Sequence, residues 1–173
     1  LSYNSGLSAI RYPRDVVTNR FPNSPPFVLG KAHQLLSTNQ PKLAILGYGT
    51  TAIDALDAAI RVDSNVIDVY DARFAKPVDG DLIESLLEAS IPIITVEDHS
   101  VIGGFGSAVI EEAVKRKLDT SLITTLGLPD YWIGHGSRKE QLEEAGIDVT
   151  SIANVAERIL NTQQSESPVV ITS

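Results

Sequence analysis

Short apolar runs alternate along this chain with longer segments whose apolar residues recur every three or four positions. A short apolar run bounded by turn residues is typical of a buried strand, and the longer period is typical of a helix with one buried face. Four strands are predicted, at residues 42–46, 66–70, 91–96 and 122–126. Five helices are predicted, at residues 51–62, 79–90, 106–118, 137–145 and 150–160, the last of them capped by Thr150.

This alternation predicts an α/β domain, with a mostly parallel sheet flanked by helices on both faces. Residues 18–26 contain three prolines and no periodicity, which is typical of an extended linker. The chain therefore divides into four parts. We assign 1–17 to the tail of a preceding domain, 18–30 to a Pro-rich linker, 31–162 to the α/β domain and 163–173 to a flexible tail.

Composition excludes several classes of function. The net charge of −8 argues against a nucleic acid or an anionic membrane as the partner, because both require a basic surface. The chain has no cysteine, which excludes disulfides and thiolate chemistry, and no apolar run approaches the length of a membrane span. It also has no methionine and begins at Leu1, so we expect a fragment of a larger cytoplasmic protein.

Two glycine-rich turns follow predicted strands, where α/β proteins usually place their ligand sites. Residues 47–51 (Gly-Tyr-Gly-Thr-Thr) lack the third glycine of a dinucleotide fingerprint and the lysine of a P-loop, which favours a structural turn over an anion cradle. Residues 103–107 (Gly-Gly-Phe-Gly-Ser) follow the polar run Glu97-Asp98-His99-Ser100. There a ligand site is one interpretation, and a turn that lets Phe105 tuck under the helix is the favoured one.

The remaining candidate chemistry is carried by one histidine and two arginines. His135 lies in an aromatic and glycine-rich segment that suits a loop approaching a substrate or another subunit, and Ser137 beside it suits a helix cap. Gln141 falls one position too late to complete a capping box with Ser137. Arg11 and Arg14 are the strongest local candidates, because the planar guanidinium matches a phosphate bidentately. The alternative is that both arginines are structural.

Five motifs occur along the chain in a fixed order. They are Ala-Ile-Arg-Tyr-Pro-Arg at 9–14, Leu-Gly-Tyr-Gly-Thr at 46–50, Asp-Ala-Arg-Phe-Ala-Lys-Pro-Val-Asp at 71–79, Gly-Gly-Phe-Gly-Ser at 103–107, and the segment from Leu128-Pro129-Asp130 through His135-Gly136-Ser137. Together they resemble the C-terminal part of the 1-deoxy-D-xylulose-5-phosphate synthase family, which belongs to the transketolase superfamily. The resemblance covers about residues 7–160.

The resemblance implies a homodimeric, thiamine-diphosphate- and Mg²⁺-dependent transferase that condenses pyruvate with D-glyceraldehyde 3-phosphate, for isoprenoid, thiamine and pyridoxal synthesis. The family's cofactor motifs belong to upstream domains of the parent chain, so the resemblance implies no cofactor-binding, metal-binding or catalytic residue here. It implies that Arg14, with Arg11 second, binds the substrate phosphate. The rest of the chain corresponds to a domain that supports the dimer and is inactive alone.

One departure bears on that role, since Asp15 stands where the family usually has glycine after the second arginine. A carboxylate at that position would compete with phosphate for the guanidinium. Two further hypotheses remain open. One is a stand-alone binding module that docks a partner or a small anion through its glycine turns, and the other is the C-terminal part of a 2-oxo-acid dehydrogenase β-subunit.

Overall fold

A computed structural model describes residues 20–21 and 23–165 of the protein. Its five strands form one sheet in the order β1-β3-β2-β4-β5. β1 pairs antiparallel with β3, and all other neighbours are parallel. The strands are β1 His33–Leu36, β2 Leu43–Tyr48, β3 Ile67–Asp71, β4 Ile93–Ser100 and β5 Ile123–Leu128.

Five α-helices cover the two faces of this sheet. They are α1 Thr51–Val62, α2 Gly80–Glu88, α3 Phe105–Lys115, α4 Arg138–Ala145 and α5 Val149–Ser165, and a single 3₁₀ turn, Thr120–Leu122, precedes β5. α1 and α5 bury their apolar residues on one face, together with Leu142 of α4. α2 and α3 cover the other face. The predicted α/β class, with helices on both faces of a mostly parallel sheet, is confirmed.

β1 is the element that the hydrophobic pattern does not predict. Its four residues read His-Gln-Leu-Leu. At this edge of the sheet Gln34 is exposed and the other three are half-buried. A short edge strand needs no continuous apolar run, since one of its long sides has no neighbour to pack against. Within the described residues, no helix is long and apolar enough to span a bilayer.

The caps of the last two helices differ from the prediction. α4 begins with a complete capping box, in which Ser137 pairs with Glu140 rather than with Gln141. α5 begins one residue before the predicted cap Thr150, and the carboxylate of Asp148 accepts the backbone N–H groups of Thr150 and Ser151. Acidic residues suit these positions because a helix N-terminus carries a partial positive charge.

Candidate functional site

An open cleft of about 860 Å³ lies at the carboxyl end of the parallel strands. It is bounded by the connections that follow β2, β3 and β4. This is the edge at which parallel α/β sheets usually bind ligands. The polar residues that line it are Tyr48, Thr50, Lys76, Glu97, Asp98, His99, Ser107 and Glu111.

The glycine turn at the start of α3 is closed from inside by a buried carboxylate. Glu97, in the second half of β4, is only 1% exposed. Its two oxygens accept the backbone N–H groups of Phe105 at 2.7 Å and Gly106 at 2.8 Å. These are the donors that a helix N-terminus offers to an anionic ligand. The protein's own carboxylate therefore occupies the position that an external anion would take.

Close packing requires two of the three glycines of this turn, Gly104 and Gly106. A Cβ on Gly104 would overlap the Glu97 carboxylate and the backbone oxygen of Ser100. Phe105 tucks under the helix, where it is 3% exposed and its ring stacks on Tyr48 with 5.3 Å between centroids. The favoured interpretation of residues 103–107, a turn that buries Phe105, agrees with this geometry.

The turn between β2 and α1 is also built for packing. Thr51 is fully buried, and its hydroxyl lies within hydrogen-bond distance of the carbonyl oxygens of Tyr48, at 3.1 Å, and Val96, at 2.7 Å. A Cβ on Gly47 would overlap the backbone of Ala52, so only glycine lets the strand end approach the helix start this closely. Both observations support the structural-turn interpretation of residues 47–51.

An ion pair links the rim of the cleft to α4. The Nη2 atom of Arg138 lies 3.0 Å from the Asp98 carboxylate and 3.0 Å from the Thr50 hydroxyl oxygen. Burial raises the pKa of Asp54 on α1, and the positive charge of Arg138 offsets part of that rise. No sequence signal points to Arg138, because 40 residues separate it from Asp98 and only the fold brings them together.

The segment that contains His135 folds back on α4. Gly134 donates its N–H to the Glu144 carboxylate and accepts a hydrogen bond from the Gln141 amide, while the Tyr131 hydroxyl donates to the backbone oxygen of Glu144. His135 itself is exposed. The structure therefore ties this segment to its own helix, and the expectation that it approaches a substrate or another subunit stays a prediction.

Two further results complete the placement of the predicted residues. Arg11 and Arg14 lie outside the described residues, so their roles stay predictions. Within residues 20–21 and 23–165, no group of three or more His, Asp or Glu side chains is arranged to hold a metal ion. The side chains that line the described cleft can form hydrogen bonds and ion pairs.

Comparison with known sequences gives a consistent result. The transketolase C-terminal domain family matches residues 30–152. A 1-deoxy-D-xylulose-5-phosphate synthase of Geobacillus sp. (strain WCH70) is 35% identical over 96% of this chain and 27% of its own length. One from Shewanella putrefaciens is 34% identical over 87% of this chain and 24% of its own length. The chain thus spans about a quarter of the length of the curated relatives it matches.

Comparison with solved structures supports the same fold. A split-gene transketolase, described as an inactive β4 tetramer, aligns with a TM-score of 0.65 and 26% identity over 78% of this chain and 44% of that one. Transketolase from Leishmania mexicana aligns with a TM-score of 0.55 over 77% of this chain and 18% of that one, and at 15% identity it supports the fold alone. The chain belongs to the family of transketolase C-terminal domains, and within it resembles the C-terminal part of 1-deoxy-D-xylulose-5-phosphate synthases.

Proposed function

We propose that this chain is the C-terminal part of a cytoplasmic enzyme that condenses pyruvate with D-glyceraldehyde 3-phosphate. The reaction joins two carbons of pyruvate to the aldehyde carbon, releases the pyruvate carboxyl group as CO2 and yields 1-deoxy-D-xylulose 5-phosphate. The observation that carries this proposal is the similarity to synthases of that name over 96% and 87% of the chain. The five ordered motifs of the sequence analysis are consistent with it.

In this proposal the cofactors belong to upstream domains. The described residues do not fit thiamine diphosphate with Mg²⁺, because they present no cluster of metal-binding side chains. The α3 N-terminus, which could otherwise receive a diphosphate, is filled by Glu97. We therefore derive no chemical step through the cofactor from this domain. Its role is to support the dimer and the domains that precede it, and it is inactive alone.

Arg14 is the residue through which the chain would contact substrate, with Arg11 second. A guanidinium offers two parallel N–H donors to a phosphate and keeps its charge at any physiological pH. Asp15 would draw on the same donors and weaken the site. We expect Arg14 to bind the phosphate of the aldehyde substrate and to leave the cofactor untouched.

The test is steady-state kinetics of the complete enzyme with Arg14→Ala. The KM for D-glyceraldehyde 3-phosphate should rise roughly a hundredfold, which is the scale expected when a charged hydrogen-bonding partner is removed. The affinity for thiamine diphosphate should not change. Arg11→Ala is the matched control, with a smaller rise expected. Equal losses of substrate and cofactor affinity would indicate a folding defect and contradict the assignment.

A second candidate is a subunit that acts only with a separate partner chain. The similarity to a split-gene transketolase described as inactive in its β4 form favours this possibility. The two candidates differ in the mass of the native gene product, detected with an antibody against this span. A native product several times heavier than this 18.6 kDa chain supports a single-chain synthase. A native product lighter than that, which co-purifies with a second protein, supports the split form.

A further inference from the structure

The two edges of the sheet are built differently. β1, at one edge, has four residues, and its register with β3 shifts between Gln34 and Leu36. β5, at the other edge, has six residues, and the register shift in its pairing with β4 falls on β4, between Val96 and Ser100. Natural sheets protect an edge by keeping it short, by a bulge, or by charged residues and proline. β1 has the first two of these features, and β5 has none of them.

The unprotected edge is uncharged and largely apolar. From Thr120 to Pro129 the sequence contains no charged residue. All six residues of β5 are half-buried, whereas the first five residues of the neighbouring β4 are buried. Leu126 and Leu128 pack partly against the α1–α5 core on one face of the sheet, and Ile123 packs partly against the α2–α3 core on the other. β5 therefore leaves part of its apolar surface exposed on both faces.

The backbone groups of β5 alternate between β4 and the open side of the sheet. The carbonyl oxygen of Leu128 accepts the N–H of Val101 at 3.1 Å, so it points towards β4. Successive residues of a strand direct their N–H and C=O groups to opposite sides, so those of Thr125 and Gly127 point to the open side. Among the described strands, none lies on that side of β5. The edge thus offers donors and acceptors that a further strand could pair with.

Large apolar side chains are exposed beside the end of this edge. Ile102, in the loop after β4, is 67% exposed, and Tyr131 and Trp132, in the segment after β5, are 57% and 98% exposed. Tryptophan is usually well buried, and it is enriched where proteins contact each other. Hydrogen bonds from Tyr131 and Gly134 to Glu144 tie this segment to α4. Trp132 is therefore presented to solvent from a segment that is held on the domain.

The described course of the chain leads away from the β5 edge. On the N-terminal side, Arg20 pairs with Asp57 of α1 at 2.6 Å, and the chain then enters β1 at the opposite edge. On the C-terminal side, α5 packs on the same face as α1, and the connection through α1 leads from β2 to β3, towards β1. A connection on that face to a parallel strand beyond β5 would be left-handed, which such crossovers avoid. We therefore expect the strand that completes this edge to come from another molecule.

We propose that the β5 edge binds the β5 edge of a second copy of this chain, by antiparallel pairing about a twofold axis. The inference deepens the proposed function, on which its place in the complete enzyme rests. An axis perpendicular to the sheet at Thr125 sets the outward N–H of each Thr125 against the outward carbonyl of the other. The net charge of −8 makes two copies repel over most of their surfaces, whereas the uncharged edge lets them approach. The same axis brings Trp132 beside the start of β5 in the other copy.

Sedimentation equilibrium of this chain measures the pairing. The unmodified chain should dimerise, and Thr124→Lys, which places a charge on the edge, should raise the dimer dissociation constant roughly tenfold. Trp132→Ala should raise it by a similar factor. Because the Trp132 side chain is 98% exposed, this second variant leaves the fold of the single copy intact. The matched control is Ser37→Lys, which adds the same charge at an exposed position beside the opposite edge and should leave the constant unchanged.

Disulfide trapping tests the position of the axis. The chain has no cysteine, so Thr125→Cys supplies its only thiol. Hydrogen-bonded residues that face each other in antiparallel strands lie about 5.5 Å apart between Cα atoms, a separation that a disulfide can bridge. Diamide, a thiol oxidant, should therefore convert this variant to a linked dimer and leave the control Ser37→Cys monomeric. Equal cross-linking of the two variants would overturn the β5 pairing.

The proposal and the proposed function fail in different ways. If the complete enzyme does not condense pyruvate with the aldehyde phosphate, the proposed function fails, and sedimentation of this chain still decides whether β5 edges pair. A chain that stays monomeric at about 1 mM would overturn the pairing whatever the activity. Protection of the Thr125 and Gly127 amides from exchange should increase with chain concentration. Strong protection that is independent of concentration would place a segment of the same chain on this edge and would overturn the assignment to a second copy.

Discussion

Helices α3 and α4 both begin after a glycine-rich segment, and at both a glutamate carboxylate accepts backbone hydrogen bonds at the helix start, two at α3 and one at α4. At α3 the carboxylate is Glu97, which comes from the neighbouring strand and is buried. At α4 it is Glu140, which lies in the helix's own first turn and is exposed. One cap is thus part of the tertiary structure and the other is local.

This difference explains why two helix starts with similar sequence patterns contribute unequally to the stability of the protein. A buried charge must have its hydrogen bonds, because the alternative is an unsolvated carboxylate in the core. An exposed carboxylate can exchange its hydrogen bonds for water at small cost. Variants of the α3 turn should therefore be far more damaging than variants of the α4 turn.

The largest effect is expected for Glu97→Gln. The amide keeps the shape but removes the charge. Its oxygen can accept the N–H of either Phe105 or Gly106, and its NH2 group then faces the other N–H donor, which loses its partner. The free energy of unfolding should fall by about 3 kcal/mol, measured by urea denaturation. The matched control is Glu111→Gln on the exposed side of α3, which should change it by less than about 0.5 kcal/mol. Equal losses of unfolding free energy in the two variants would contradict a larger contribution of the buried cap to stability.

Gly104→Ala should come next. The new Cβ would overlap the Glu97 carboxylate and the Ser100 backbone, and overpacking of this kind costs about 2 kcal/mol. Its neighbour Gly103 has a φ of +71° but open space around the position of a Cβ, so Gly103→Ala should cost only about 1 kcal/mol. Urea denaturation of both variants checks the order. A larger loss for Gly103→Ala would contradict the packing argument.

Ser137→Ala should cost about 1 kcal/mol, the usual effect of removing a serine N-cap. The hydroxyl accepts the N–H of Glu140 at 3.3 Å and lies 2.7 Å from the Glu140 carboxylate, and both contacts are lost. Thermal unfolding measures the change. The control is Lys139→Ala, which changes an exposed side chain of the same helix and should leave the stability nearly unchanged. A neutral Ser137→Ala would show that water replaces the cap completely.

The smallest effect concerns the pH dependence of the α4 cap. The side-chain and backbone hydrogen bonds from Ser137 lower the pKa of Glu140. Since the folded pKa lies below the unfolded value of about 4.3, the stabilisation by this carboxylate is present above that value. It is lost as the pH falls through the lowered folded pKa. The difference in melting temperature between the unmodified chain and Glu140→Gln should therefore shrink between pH 7 and pH 3. A constant difference would contradict a role for the ionised carboxylate.

The contrast between the two caps also shows what the sequence can predict. The apolar runs and the helical period locate four strands and five helices, because each signal lies within one segment. The sequence indicates Ser137 as a cap, but the comparison with Gln141, which falls one position too late, overlooks Glu140, the residue that completes the capping box. The role of Glu97 was not predicted, because it depends on how closely the end of β4 approaches the start of α3.

The same reason applies to the contacts that Arg73 makes with Ser24 and Pro26. The Asp71–Asp79 motif contributed strongly to the family resemblance, yet no sequence signal assigned Arg73 to contacts with Ser24 and Pro26, which lie 49 and 47 residues away. A left-handed arginine is also not visible in the sequence, where glycine or asparagine would be expected for that conformation. β1 was missed because a half-buried edge strand has too few apolar residues to stand out.

The most direct test of the α3 cap is an NMR titration of this chain with inorganic phosphate, which follows the backbone amides of Phe105 and Gly106. If Glu97 closes the turn, these two resonances keep their positions at every phosphate concentration, and both amides are as strongly protected from exchange as those of β4. Saturable phosphate-dependent shifts at these amides, together with rapid exchange, would show that the turn is an open anion site and would contradict the account.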